Sequence, residues 1–235
     1  MKTAGIFFII FILYFIAFQR NIIWMEDISL WEDTLQKTPN KIRTHINLGV
    51  AYMRTSLFDK SLKEYEKANK IINNFYSHYN TAIVYEKKGL DDIAIMEFKK
   101  ALILAEITTI PNIHTALAHY MAARLYIKKD LADEAIANIN KTIQLHPDFY
   151  EAHNDLGIAY GKIRSFDKAL NEFQTALNIN PDYAAAHYNL GITFEGMGLY
   201  RDALSEYQTA LRLDPTDEKA KARINYLSQI TQPNQ

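Results

Sequence analysis

Apolar residues follow two distinct patterns along the chain. From Ala4 to Phe18 the run AGIFFIIFILYFIAF carries no charge and a single glycine. From Ile42 onward apolar positions instead recur at i, i+3, i+4 and i+7, the spacing of amphipathic helices. These helical stretches come in pairs, and the pairs repeat. Pro147, Pro181 and Pro215 lie 34 residues apart, and the same residues recur around each of them. Leu156-Gly157…Tyr160…Ala169…Phe173…Ala176…Pro181 is matched by Leu190-Gly191…Phe194…Ala203…Tyr207…Ala210…Pro215. Within a unit, small Gly157 and Ala169 let two helices approach closely, while Leu156, Tyr160 and Phe173 fill the space around them. Proline then stops the second helix and starts the next unit.

Three weaker copies precede these two. One supplies Leu48-Gly49, Tyr52, Tyr65 and Ala68, with Ser61 where alanine is usual. The next supplies Ala82, Tyr85, Ala94, Phe98 and Ala101, without a terminal proline. The third supplies Ala123, Tyr126, Ala135 and Pro147, with Ile139 in place of the aromatic. The predicted organisation is five units over 42–74, 75–108, 116–149, 150–183 and 184–217. An insertion at 109–115 is marked by Pro111. Residues 218–235 form a capping helix and polar tail, with Ala220, Ile224, Leu227 and Ile230 on its apolar face. Residues 24–41 form a linker helix, a half-repeat ended by Pro39. Residues 1–23 contain the apolar segment.

The L-G-x-x-Y…A-x-x-x-F…A…P pattern resembles the tetratricopeptide repeat (TPR) family. That resemblance implies an all-α fold, a right-handed superhelical solenoid of about five helix-turn-helix repeats plus a capping helix. It also implies that positions 2, 5, 9, 12 and 13 of each first helix face a concave groove. Position 5 holds Ile46, Tyr79, Tyr120, Asn154 and Tyr188, and position 9 holds Val50, Ile83, Arg124, Ile158 and Ile192. Position 13 holds Arg54, Lys87, Lys128 and Lys162, then Gly196, while Asn47, Asn80 and Asn189 recur at position 6. The expected peptide-binding set is therefore Asn47, Arg54, Tyr79, Asn80, Lys87, Tyr120, Arg124, Lys128, Lys162, Tyr188 and Asn189. Tyrosines would stack, amides would bond a backbone, and the basic edge would favour an extended, partly acidic protein or peptide partner. Ile46 stands where the chaperone-tail-binding members need lysine, so that ligand class is disfavoured.

The segment at 4–18 rises only ~22 Å as a helix, short of the ~30 Å hydrocarbon core. Lys2 and Arg20 are placed to snorkel, with Ile22, Ile23 and Trp24 just beyond. It reads as one N-terminal transmembrane helix, a single-pass anchor; a cleaved signal peptide is the competing reading, although no A-x-A-like site follows. Lys2 before the run, set against Arg20 and the acidic Glu26 and Asp27 after it, predicts extracytoplasmic repeats. The stretch Gln19-Arg20-Asn21…Trp24…Leu30-Trp31-Glu32-Asp33…Pro39-Asn40 is similar to the junction in membrane O-mannosyltransferase-like proteins carrying TPRs. The many spans of that family are missing here, so no transferase activity carries over.

Composition removes several other readings. A net charge of −1 leaves no basic surplus for nucleic acid. With no cysteine there is neither a disulfide nor a thiol site. Phosphate-loop, dinucleotide, zinc-protease and serine-elbow motifs are all missing, so no enzyme, cofactor, metal site or catalytic residue is expected. Five of the seven histidines, His45, His78, His119, His153 and His187, share position 4 of their units. A row of that kind cannot chelate one metal. It reads as a structural ladder or, alternatively, as a row whose charging near pH 6 would strain the stack. The functional expectation is a membrane-tethered scaffold binding a protein or peptide in its groove. The alternatives are a non-catalytic substrate-presenting arm of a membrane glycosyltransferase system and a self-assembly module.

Overall fold

A computed structural model describes residues 27–231, and among them every regular element is a helix. The first, α1, covers 27–37. Five helix pairs follow: α2 (Ile42–Arg54) with α3 (Phe58–Ile71), α4 (Phe75–Lys87) with α5 (Asp91–Ile107), α6 (Asn112–Lys128) with α7 (Ala132–Leu145), α8 (Tyr150–Lys162) with α9 (Phe166–Ile179), and α10 (Ala184–Gly196) with α11 (Tyr200–Leu213). The last helix is α12 (Glu218–Thr231). Among the described residues no helix is long and apolar enough to cross a membrane. The apolar run at 4–18, to which the transmembrane expectation applies, lies outside them.

Each pair is closed by the same contact. Gly49, Gly157 and Gly191 sit in their first helices facing an aromatic ring of the second. A Cβ added there would lie 2.4 Å from Tyr65, 2.6 Å from Phe173 and 2.6 Å from Tyr207. The missing side chain is what lets the helices approach, and the rings fill the interior so completely that Tyr65 and Tyr207 are wholly buried. The third pair reaches the same closeness with smaller parts, burying Ala123 against Ile139.

The turn inside each pair is also repeated. Ser56, Gly89, Asp130, Arg164 and Gly198 all adopt positive φ, between 58° and 78°. The following backbone N–H then reaches back to the carbonyl of Tyr52, Tyr85, Tyr126, Tyr160 or Phe194. These bonds satisfy carbonyls left open at a helix end, the usual work of a left-handed C-terminal residue. Only two of the five positions are glycine, so the other three carry the steric cost of that conformation.

The chain divides into two compact units, one ending at Thr109 and one beginning at Ile110. In the first, α1 is tied to α2 by the Tyr52 hydroxyl, which donates to Glu32 at 2.6 Å. In the second, α12 covers the end of the last pair by burying Ala220 and Leu227, with Ile224 packed against the same cluster. Ile230, expected on that apolar face, is 47% exposed. The seven extra residues of 109–115 lengthen helices instead of forming a long loop. α5 and α6 have 17 residues each, whereas the other second helices have 14 and the other first helices 13. Pro111 stands at the N-terminus of α6, where a missing N–H costs nothing.

Candidate ligand groove

The position-4 histidines are built into ion pairs. His45 Nδ1 lies 2.7 Å from Glu64, His78 2.5 Å from Glu97, His153 2.8 Å from Glu172 and His187 2.7 Å from Glu206. In each case 19 residues separate the partners, which joins the first turn of one helix to the middle of the next. The opposite nitrogen, Nε2, faces a carbonyl: Pro39 at 2.9 Å, Pro147 at 3.1 Å and Pro181 at 3.2 Å, or the Asn73 amide oxygen at 2.6 Å. Two acceptors satisfy an imidazole fully only when both nitrogens carry protons. The expectation that charging would strain the stack is therefore reversed, because the charged ring is the form this geometry holds. In the third pair Asn138 replaces glutamate, its oxygen 2.9 Å from His119.

The first unit carries five of the expected site residues, Asn47 and Arg54 on α2 and Tyr79, Asn80 and Lys87 on α4. Tyr79 is half-buried, stacked on Phe75 at 5.7 Å and edge-on to Phe98 at 5.8 Å. That burial pushes its phenol up to about 12. Arg54 donates to Asp27 at 3.4 Å. Asn47 and Asn80 are partly exposed and Lys87 is exposed.

In the second unit α6, α8 and α10 lie side by side, and the polar residues of their exposed faces form a connected chain. Asn189 on α10 donates to the Asn154 amide oxygen at 2.9 Å, and Asn154 donates to Asp155 at 3.1 Å. From α6 the Tyr120 hydroxyl donates to the same carboxylate. Burial raises the Asp155 pKa, while the bonds from Tyr120 and Asn154 and the charge of Arg124 oppose the rise. The Arg124 guanidinium also stands 5.9 Å from the Tyr120 ring centre. Tyr120 packs on Phe149 at 4.6 Å and Tyr188 on Tyr207 at 5.4 Å. Thus the position-5 tyrosines have their rings engaged within the protein. Lys128 is exposed at the end of α6, and Lys162 is hydrogen-bonded to Asp130.

Beside this chain is an apolar recess of about 260 Å³ lined by Ile158, Gly161, Lys162, Phe166, Asn189 and Ile192, with Gly157, Phe173 and Thr193. It opens because Gly161 has no side chain and nothing lies within 4 Å of where its Cβ would be. The other units carry Met53, Glu86, Ile127 and Glu195 at that position. A lone glycine in the register was thus the sequence signal for the recess. Asp155 and Asn154, missing from the expected set, carried a weaker one: a carboxylate and an amide exchanged between positions 5 and 6. Among the described residues no group of three or more His, Asp or Glu side chains is placed to hold a metal ion.

Sequence comparisons agree with this geometry. A profile described as TPR repeat matches residues 165–198, and profiles described as Tetratricopeptide repeat match 184–217 and both 42–75 and 116–149. No curated protein sequence matches the chain. Among solved structures it is similar to YrrB, described as a TPR protein with an unusual peptide-binding site, at 21% identity and a TM-score of 0.69, covering 82% of this chain and 96% of that one. It is also similar to MamA at 24% identity, covering 76% and 94%, with a TM-score of 0.65. A third likeness is to pilF of Pseudomonas aeruginosa at 16% identity, covering 80% and 83%, with a TM-score of 0.66. At such identities these structures speak for the fold alone. Profile matches to four repeats, five glycine- or alanine-backed helix pairs and these structural likenesses agree, and the chain belongs to the tetratricopeptide repeat family.

Proposed function

We propose that the chain is a non-enzymatic, membrane-tethered scaffold that holds an extended segment of a partner protein against α8 and α10. The observation that carries this reading is the apolar recess between Ile158 and Ile192, bordered by the Asn189 amide. An aliphatic side chain of about four carbons fits such a volume, and an amide at its rim is suited to a main-chain group. Partner binding is the common use of the TPR fold, and YrrB is described as having a peptide-binding site. Arg54 and Lys162 bond to carboxylates within the protein, and Arg124 acts on Asp155, so apolar fit outweighs acidic charge as the basis of selection. The uncharged run at 4–18 supports tethering, with the repeats on the extracytoplasmic side.

Affinity capture of the full chain from detergent-solubilised membranes tests the recess. Ile192 is 44% exposed, so Ile192→Glu leaves the fold intact and should abolish recovery of the partner that the wild type retains. Undiminished recovery by Ile192→Glu and by Asn189→Ala would overturn the reading. Removal of residues 1–23 should shift the chain from the membrane to the soluble fraction without affecting capture.

A further inference from the structure

The second helices of the five pairs turn one face away from the groove, and the repeat register supplies an internal comparison of that face. At the register of Met96 the other four carry Lys63, Ala137, Asn171 and Ser205. At the register of Ile103 they carry Lys70, Gln144, Asn178 and Arg212. Only α5 is apolar at both. Met96 is 49% exposed, Ile103 61% and Ile107 74%. Offsets of seven and four residues set all three within ~40° of arc on one face of the helix. The three residues by which α5 exceeds the other second helices carry this stripe on to Ile107. An apolar stripe standing in an otherwise polar register is not explained by the solenoid's own packing.

The charges beside the stripe identify its occupant. Lys100 lies three residues before Ile103 and Glu106 three residues after, both exposed. When two copies of α5 cross antiparallel at Ile103, each Glu106 meets Lys100 of the other copy. A parallel crossing would set Glu106 against Glu106 and Lys100 against Lys100. The face is therefore self-complementary in one orientation and self-repelling in the other, the property an isologous two-fold contact requires. Lys100 bonds Glu97 at 2.7 Å, and an ammonium with three N–H groups can serve a second carboxylate. We propose that the Met96–Ile103–Ile107 face of α5 is a homodimer contact, an antiparallel α5–α5 pair about a two-fold axis at Ile103. So few apolar residues form a small contact of the transient class, strengthened where tethering confines both copies to one plane. The inference is independent of the ligand recess, which lies on other helices.

The chain has no cysteine, so a single introduced thiol reports on the contact directly. Mild oxidation of full-length Ile103→Cys in detergent should give a disulfide-linked dimer, because the two-fold axis brings the thiols together. Asn178→Cys, the same register on α9, should stay monomeric. Ile103→Glu sets like charges opposite each other and should weaken self-association by about tenfold or more in light scattering. Circular dichroism of this exposed-site variant should match the wild type. A chain that remains monomeric at every concentration, or cross-linking no greater at 103 than at 178, would overturn the proposal. So would phospholipid vesicles that shield the thiol of Ile103→Cys from a labelling reagent without any cross-link, which would assign the stripe to a lipid surface.

Discussion

Gly157 and Gly161 lie one turn apart on α8, and replacing each by alanine should move stability in opposite directions. In a helix interior, alanine is favoured over glycine by about 0.5–1 kcal/mol because glycine loses more backbone freedom on folding. Gly161→Ala gains that amount, since no atom lies within 4 Å of the new Cβ. Gly157→Ala gains the same but sets its Cβ 2.6 Å from Phe173 Cε1 and 2.8 Å from Cδ1 and Cζ. The ring must retreat by about 1 Å to reach an ordinary carbon–carbon separation. Phe173 is 2% exposed, so that movement displaces packed neighbours at a cost of about 1–3 kcal/mol. The α4–α5 pair combines Ala82 with Phe98, both fully buried, so a pair can be built around this combination. The cost therefore falls in the lower part of the range. A net loss of about 1 kcal/mol remains, and the two alanines should differ by about 2 kcal/mol. In thermal unfolding of the full chain that difference corresponds to roughly 4–8 °C. Phe173→Leu in the Gly157→Ala background should recover part of the loss, a non-additivity expected of residues in contact. Equal stabilisation by both alanines would refute the close-approach reasoning.

The His–Glu pairs set a pH window. The hydrogen bond to Glu172 holds the His153 pKa above its ordinary value despite burial, so its contribution is complete below about pH 6.5 and is lost as pH rises through the folded value. Burial pushes Glu97 upward, but the bonds from His78 and Lys100 outweigh it and hold its pKa down; that contribution is complete above about pH 4.5 and is lost as pH falls through the folded value. The thermal midpoint should therefore rise from pH 7.5 to 5.5, and a midpoint that falls would contradict the pairing. At the repeated left-handed turn, Ser56→Gly should stabilise by up to about 1 kcal/mol and Gly198→Ala should cost about as much. Urea titration reads both changes, and matching shifts of one sign would exclude the conformational explanation.

The sequence by itself determined the repeat and its interior. Period, proline punctuation and the pairing of Gly157 with Phe173 are short-range facts, because each unit is one helix pair whose contacts lie within 34 residues. Periodicity also marked the position-4 histidines, yet not their chemistry. Their partners stand 19 residues away on another helix, and only packing shows that Glu64, Glu97, Glu172 and Glu206 meet them while Asn138 takes the same place in the third pair. The groove divided in the same way. Register named Tyr120, Arg124, Lys162 and Asn189, but tertiary structure decided that Tyr120 is turned to Asp155, that Lys162 is engaged by Asp130 and that Gly161 opens a recess. Side chains on neighbouring repeats compete for one another before any ligand arrives. Which of them remain available is settled by distances between helices, a quantity that a one-dimensional pattern does not contain.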